Sequence, residues 1–269
     1  MKAAYIAAAA TVIFSVPAQA EEEFEGVYAS ATLGYDFQGN DSDEFISFDR
    51  GSNGSFAETV TTAAGANAFS PGFCDGEATS PQNSNCVSDS DGVTFSGRLG
   101  YDRQMGNLVM GLVAEAGTAD LRDSVSAFST TPAFYYMERK IDFTAALRLR
   151  AGFTPAKRTL LYATGGLAYA KLDQSFKTSN MANSFTVIPD KSAWGYQLGG
   201  GLEHKMSRKF SLGVEYLYTH YNSDNTLIRV GRGGAGATNP FVLAGGVDFK
   251  RGDDNVVLQT VRAIASYRF

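Results

Sequence analysis

From Ile141 to Phe153 the chain alternates without a break: Ile141, Phe143, Ala145, Leu147, Leu149, Ala151 and Phe153 are separated by Asp142, Thr144, Ala146, Arg148, Arg150 and Gly152. A period of two places the first set on one face of an extended strand and the second on the other, whereas a helix would scatter both sets around its surface. One face is apolar and the other carries two guanidinium groups, so the strand needs an apolar medium on one side and a polar one on the other. The chain ends the same way. Val261, Ala263, Ala265, Tyr267 and Phe269 alternate with Thr260, Arg262, Ile264, Ser266 and Arg268. Lipid outside and a polar lumen inside satisfy both faces at once, which is the environment of a strand in a transmembrane β-barrel.

Six further segments carry the pattern. Outward-facing sets are Val27 to Phe37 at odd positions, Val93 to Tyr101 at odd positions, Leu108 to Ala116 at even positions, Leu161, Ala163, Leu167 and Tyr169, Trp194 to Met206 at even positions, and Phe210 to Tyr218 at even positions. The connections alternate too. Short turns lie around Gln104-Met105-Gly106, Thr154 to Arg158 and Ser207-Arg208, while residues 38–90, 118–138, 172–192 and 221–255 form long loops. The fold expected is all-β: an eight-stranded antiparallel up-and-down transmembrane β-barrel with both termini on the turn side.

Composition agrees once the strands are understood. No apolar run after Val16 reaches the ~20 residues a spanning helix requires, and the mean hydropathy is slightly negative. A barrel strand needs only ~9–11 residues, half of them facing inward, so averaging hides it. At the amino terminus, Lys2, the apolar run Ala3 to Val16 and Pro17-Ala18-Gln19-Ala20 read as a signal peptide over residues 1–20, cleaved after Ala20, with the barrel domain over 21–269. The net charge of −5 gives no support to nucleic-acid binding.

Inward charges are the strongest candidates for chemistry. Counted from the turns, Arg98, Glu115, Arg148, Glu215 and Arg262 fall at one mid-barrel level, and Asp102, Arg150, Glu203 and Arg268 below it. An eight-stranded barrel has an interior just wide enough for side chains to fill. Burying one charge alone costs several kcal/mol, so mixed carboxylates and guanidiniums at one height are expected to pair and close the lumen. The other reading is a narrow charge-selective pore, or a gate that opens when pairs exchange.

Outside the strands, Cys74 and Cys86 share the first long loop. An exported chain with one close pair favours an intraloop disulfide, and with no histidine nearby the pair cannot complete a tetrahedral metal site. His204 and His220 lie at opposite rims. Met206 stands where a lipid-modifying enzyme would carry a hydroxyl two residues beyond His204, and His220 beside Tyr218, Tyr221 and Asp224 admits haem capture or an ordinary aromatic girdle. The first loop is acidic, through Asp41, Asp43, Glu44, Asp49, Glu58, Asp75, Glu77 and Asp89, and is read as a solvated, self-repelling loop. Arg251-Gly252-Asp253 in the fourth loop is a tripeptide that docks on integrins when displayed at a tight turn.

The chain resembles the small outer-membrane β-barrel superfamily that contains the opacity proteins and the outer-membrane immunogenic proteins of α-proteobacteria. The resemblance rests on Gly26-Val27-Tyr28, Ser96 to Tyr101, Arg148 to Phe153, Tyr162 to Tyr169, Leu198 to Glu203 and Val261 to Phe269 taken in order. It implies a surface protein of a Gram-negative outer membrane, with loops outside the cell and termini in the periplasm. It also implies that Tyr267 and Phe269 belong to an assembly signal read by the barrel-insertion machinery. The function expected is non-enzymatic, structural and surface-presenting, with no cofactor. Its partners would be outer-membrane lipids, lipopolysaccharide and host surface molecules; a small porin and an adhesin or haem-binding protein are the alternatives.

Overall fold

The computed structural model of the chain describes residues 24–39, 44–75, 89–223 and 225–269. In chain order the strands are β1 (Gly26–Gln38), β2 (Ile46–Arg50), β3 (Gly72–Asp75), β4 (Gly92–Met105), β5 (Leu108–Ala119), β6 (Leu121–Ser129) and β7 (Ala133–Ala156). They continue with β8 (Thr159–Thr178), β9 (Ser184–Ile188), β10 (Ser192–Lys205), β11 (Phe210–Asn222), β12 (Leu227–Gly231), β13 (Val247–Arg251) and β14 (Asn255–Arg268). One helical turn, α1 (Pro240–Leu243), precedes β13.

Eight of these strands close a ring in the order β7-β5-β4-β1-β14-β11-β10-β8, and β8 returns to β7. Every neighbouring pair is antiparallel, so no edge is left and each backbone group of the wall can pair within it, as a lipid-embedded sheet requires. Alternate residues obey the sequence pattern. Leu99, Leu149, Leu167, Trp194 and Val214 are each more than half exposed on the outer wall, while Arg98, Arg148, Thr164 and Glu215 are buried within. The turn between β4 and β5 is two residues long, with Gly106 at φ +63 supplying the left-handed conformation.

One facing differs from the alternation. A β-bulge between Ile141 and Phe143 puts two successive residues, Asp142 and Phe143, on the outside, and swings Ile141 into the interior at 2% exposure. Above the bulge Tyr135, Met137, Arg139 and Ile141 face inward.

The segments expected as long loops contain ordered strands. β7 is 24 residues long and β8 is 20, about twice what spanning needs. The lower half of β7 pairs with β5 and the upper half with β6, so residues 118–138 form a hairpin that continues the wall beyond the ring. β3 extends this upper sheet. A second sheet, in the order β2-β13-β12-β9, assembles from the first, third and fourth loops. Ile46, Phe48, Phe69, Tyr135, Ile228, Phe241 and Phe249 are buried together between the layers. Each such side chain contributes about 1.5–3 kcal/mol on burial, so the connections hold a hydrophobic core of their own. Asp49, placed by sequence in a solvated loop, is buried at its edge and accepts from the backbone N–H of Asn53 (2.9 Å) and Gly54 (2.7 Å).

Candidate functional site

The lumen is filled in strata, and register sets their heights. At the turn end Phe24 packs with Val109, Leu160 and Tyr162, and its backbone N–H donates to Gln104 Oε1 at 2.8 Å. Directly above, Arg150 pairs with Asp102 and, at 2.8 Å, with Glu203, while Arg268 reaches Asp102 at 2.8 Å. Ser211 donates to Glu203 at 2.6 Å, and the Arg150 guanidinium lies 5.0 Å from the Tyr28 ring and 4.7 Å from that of Tyr162. Inward glycines make the room. A Cβ on Gly100 would stand 2.2 Å from Tyr28 Cζ, and one on Gly111 would stand 2.1 Å from Asp102 Oδ1.

The middle stratum joins three arginines to two glutamates. Arg98 is opposite Glu115 in the β4–β5 ladder, and Glu215 is opposite Arg262 in the β11–β14 ladder. Glu115 receives Arg98 at 2.5 Å, Arg148 at 2.6 Å and Arg262 at 2.6 Å. Glu215 receives Arg98 at 2.6 Å, Arg262 at 2.5 Å and the Tyr162 hydroxyl at 2.7 Å, with Arg148 at 3.9 Å. Arg148 also donates to Gln197 at 3.0 Å. All five charged residues are at least nine-tenths buried by side chain. Several charge-assisted bonds converge on each carboxylate, and these offset desolvation that no single pair would. Above them Ala119, Leu121, Ile141, Ala168, Leu172, Tyr221, Val256 and Leu258 form an apolar layer at the loop end of the ring.

A third ionic cluster sits between that layer and the sandwich, and nothing in the sequence marked it. Asp123 accepts from Arg139 Nε at 2.5 Å and from Arg251, and Arg251 also donates to Glu44 at 2.5 Å. Arg139 continues to the Asn255 carbonyl at 2.8 Å, and Asp89 accepts from the backbone N–H (2.7 Å) and hydroxyl (3.0 Å) of Ser124. The cluster therefore ties the first, second and fourth loops together. Burial pushes the Glu44 carboxyl up to about 8, with Asp123 and Asp89 adding to the rise and Arg251 opposing it. Burial likewise lifts Asp89 to about 6. Asp123 feels the same burial, but Arg139 and Arg251 hold it below the usual carboxylate range. Glu44, Asp89 and Asp123 are close enough together to share a cation, and the guanidinium of Arg251 already supplies positive charge to two of them.

That placement removes the integrin reading of Arg251-Gly252-Asp253, because Arg251 is 1% exposed and its guanidinium is committed to carboxylates inside the fold. Cys74 lies on β3 and is disulfide-bonded; Cys86 and the cleavage site at Ala20 lie outside the described residues. Tyr267 packs edge-on against Phe269 at 5.4 Å, and the Phe269 N–H donates to Val27 O at 3.1 Å. His220 stacks on Tyr196 at 5.3 Å on the outer wall. His204 Nδ1 lies 2.9 Å from Thr159 Oγ1, a hydroxyl that comes from the neighbouring strand and so escapes any spacing argument along its own strand. Tyr28, Tyr162 and Gln197 face the lumen as the alternation places them and join its network, a role that the pattern of charges alone does not reveal.

Comparison with known proteins agrees with this architecture. A family model described as outer membrane protein beta-barrel domain matches residues 6–269. The 31 kDa outer-membrane immunogenic protein of Brucella melitensis is 32% identical over 145 residues, covering 52% of this chain and 60% of that protein. A 22 kDa outer membrane protein of Rhizobium leguminosarum is 30% identical over 138 residues, covering 51% of this chain and 57% of its own length. The matches thus span less than two thirds of these relatives. The crystal structure of OprG from Pseudomonas aeruginosa superposes with a TM-score of 0.50 at 11% identity, covering 93% of this chain and 99% of that one, a likeness of fold alone.

Proposed function

The chain belongs to the outer membrane protein β-barrel domain family, and from that premise we propose that it is a sealed, non-enzymatic barrel that reinforces the envelope and holds a folded loop domain at the cell surface. The observation that carries this reading is the filled lumen: Glu115 and Glu215 bind three arginines across the barrel, a second ionic layer lies below, and an apolar layer lies above. With the long connections outside and the termini in the periplasm, the sandwich of β2, β9, β12 and β13 on the β6–β7 hairpin is the part presented to the surroundings. Basic turns carrying Lys157, Arg158, Arg208 and Lys209 suit the anionic headgroups of an inner leaflet.

A deletion strain tests the role. The structural reading expects increased leakage of periplasmic contents with small-solute uptake unchanged, restored by the wild-type chain. Lost uptake without leakage would instead indicate transport.

A further inference from the structure

The outer wall of the ring is not evenly covered. On β5 and β7 three neighbouring outward positions carry alanine: Ala116 is opposite Ala145 in the ladder, and Ala114, two residues away, is opposite Leu147. Larger side chains stand out around them, with Leu147 51%, Leu167 63% and Trp194 62% exposed. The step between them leaves a hollow of about 740 Å³ lined by Ala114, Ala145, Leu147, Leu167, Tyr169 and Trp194, within the range of about 300–1,000 Å³ typical of ligand sites. Ala114 and Ala116 flank Glu115, so the hollow lies at mid-barrel height, within the apolar band that a barrel turns to lipid. Aromatic rings mark its other side. Tyr169 and Trp194 are paired in register and meet edge-on at 5.0 Å, as side chains do at a membrane interface. Lys171 is exposed two residues nearer the loop end of β8, on the same face as Tyr169, and Lys191 is exposed immediately before β10. A polar connection of this chain cannot fill the hollow, because loop backbone is not tolerated against lipid at that depth. What covers it is the bilayer, since the family is one of outer-membrane barrels.

We infer that the hollow is a binding site for an acyl chain of a phosphorylated lipid of the loop-side leaflet, the lipid A of lipopolysaccharide, with Lys171 and Lys191 meeting its phosphate. Asp142 and Asp173 are also exposed on this wall, Asp142 beside the Phe143 that is opposite Lys171. The patch therefore carries little net charge; the buried chain supplies most of the affinity and the lysines select the headgroup. Trp194 is the single tryptophan of the chain, so its fluorescence reports this site alone. The full-length protein is reconstituted in vesicles of brominated phosphatidylcholine, whose chains quench Trp194, and unbrominated lipid A is added. A few mole per cent of lipid A should restore fluorescence well beyond its share of the lipid, whereas unselective mixing restores it only in proportion. Ala145→Leu, which fills the hollow, should weaken the recovery by about tenfold, and Lys171→Ala by about fivefold, the worth of one lysine at an anionic headgroup. A heat-modifiable band confirms that each barrel is intact. Recovery merely in proportion to the lipid A added, equal recovery with phosphatidylglycerol, or recovery unchanged in both variants would overturn the inference. So would a dimer of the protein dispersed by Ala145→Leu, which would make the occupant a second copy. Which leaflet supplies the lipid rests on the proposed orientation, and lipid A present in both leaflets of the vesicles tests the site in either case. None of these outcomes depends on whether the lumen conducts, so failure here and failure of the sealed-barrel reading are separate results.

Discussion

Glu215 holds Arg98 and Arg262 within 2.6 Å and accepts from Tyr162, so replacing it with alanine leaves three arginines to share Glu115. Breaking a buried ionic network by removing one partner strands charge in a poorly solvated interior, and Glu215→Ala should destabilise the barrel by roughly 3–5 kcal/mol. The unfolding midpoint in denaturant reads this directly; an unchanged midpoint would mean that the arginines are hydrated. Glu44 gives a prediction of a different kind. Its carboxyl rises from 4.5 to about 8 on folding, so the folded form binds the proton more tightly. That stability is complete below the unfolded value and is lost as pH rises towards 8. Asp89, lifted from 3.8 to about 6, acts in the same direction lower in the range. Protection of the β6 and β13 amides, measured relative to their intrinsic base-catalysed exchange rates, should therefore fall between pH 6 and 8, and Glu44→Gln should flatten that fall. An equal slope in the variant would assign the effect to another group.

At the scale of elements, the loops behave as a domain rather than as tethers, and this is testable with trypsin on intact cells. Arg232 lies in the exposed stretch after β12, whereas Arg251 is buried in β13. Cleavage is expected after Arg232 and not after Arg251, and mass spectrometry of the released fragments distinguishes them. Cutting at Arg208 in sealed cells would invert the proposed orientation. The wall strands were legible because each meets lipid on one side and a polar lumen on the other, which enforces a strict period of two. The sandwich was not, because β6 is buried almost throughout: Val125, Ser126, Ala127 and Phe128 are all covered, so no alternation survives. Its charges were hidden for the same reason. Glu44 reads as a solvated loop residue and Arg251 as part of a displayed tripeptide until the first, second and fourth connections bring them together with Asp123 and Arg139. The luminal charges were easier, since inward facing and distance from the turn together give their heights, although not the bonds that join them.

For the whole molecule, the strata make one column: an apolar base at Phe24, two ionic layers, an apolar layer at Ile141 and Leu258, a third ionic layer at Asp123 and the sandwich core above. On the proposed reading such a column closes the ring to solutes beneath the second sheet. The decisive measurement is single-channel conductance of the purified full-length protein in planar bilayers, recorded beside that of Glu215→Ala. The sealed column predicts little steady conductance from the wild type, with openings appearing only in the variant as its network fails. A stable, large wild-type conductance whose ion selectivity shifts in Glu215→Ala, without loss of stability, would contradict it, because pore-lining charges in water have no buried partner to lose.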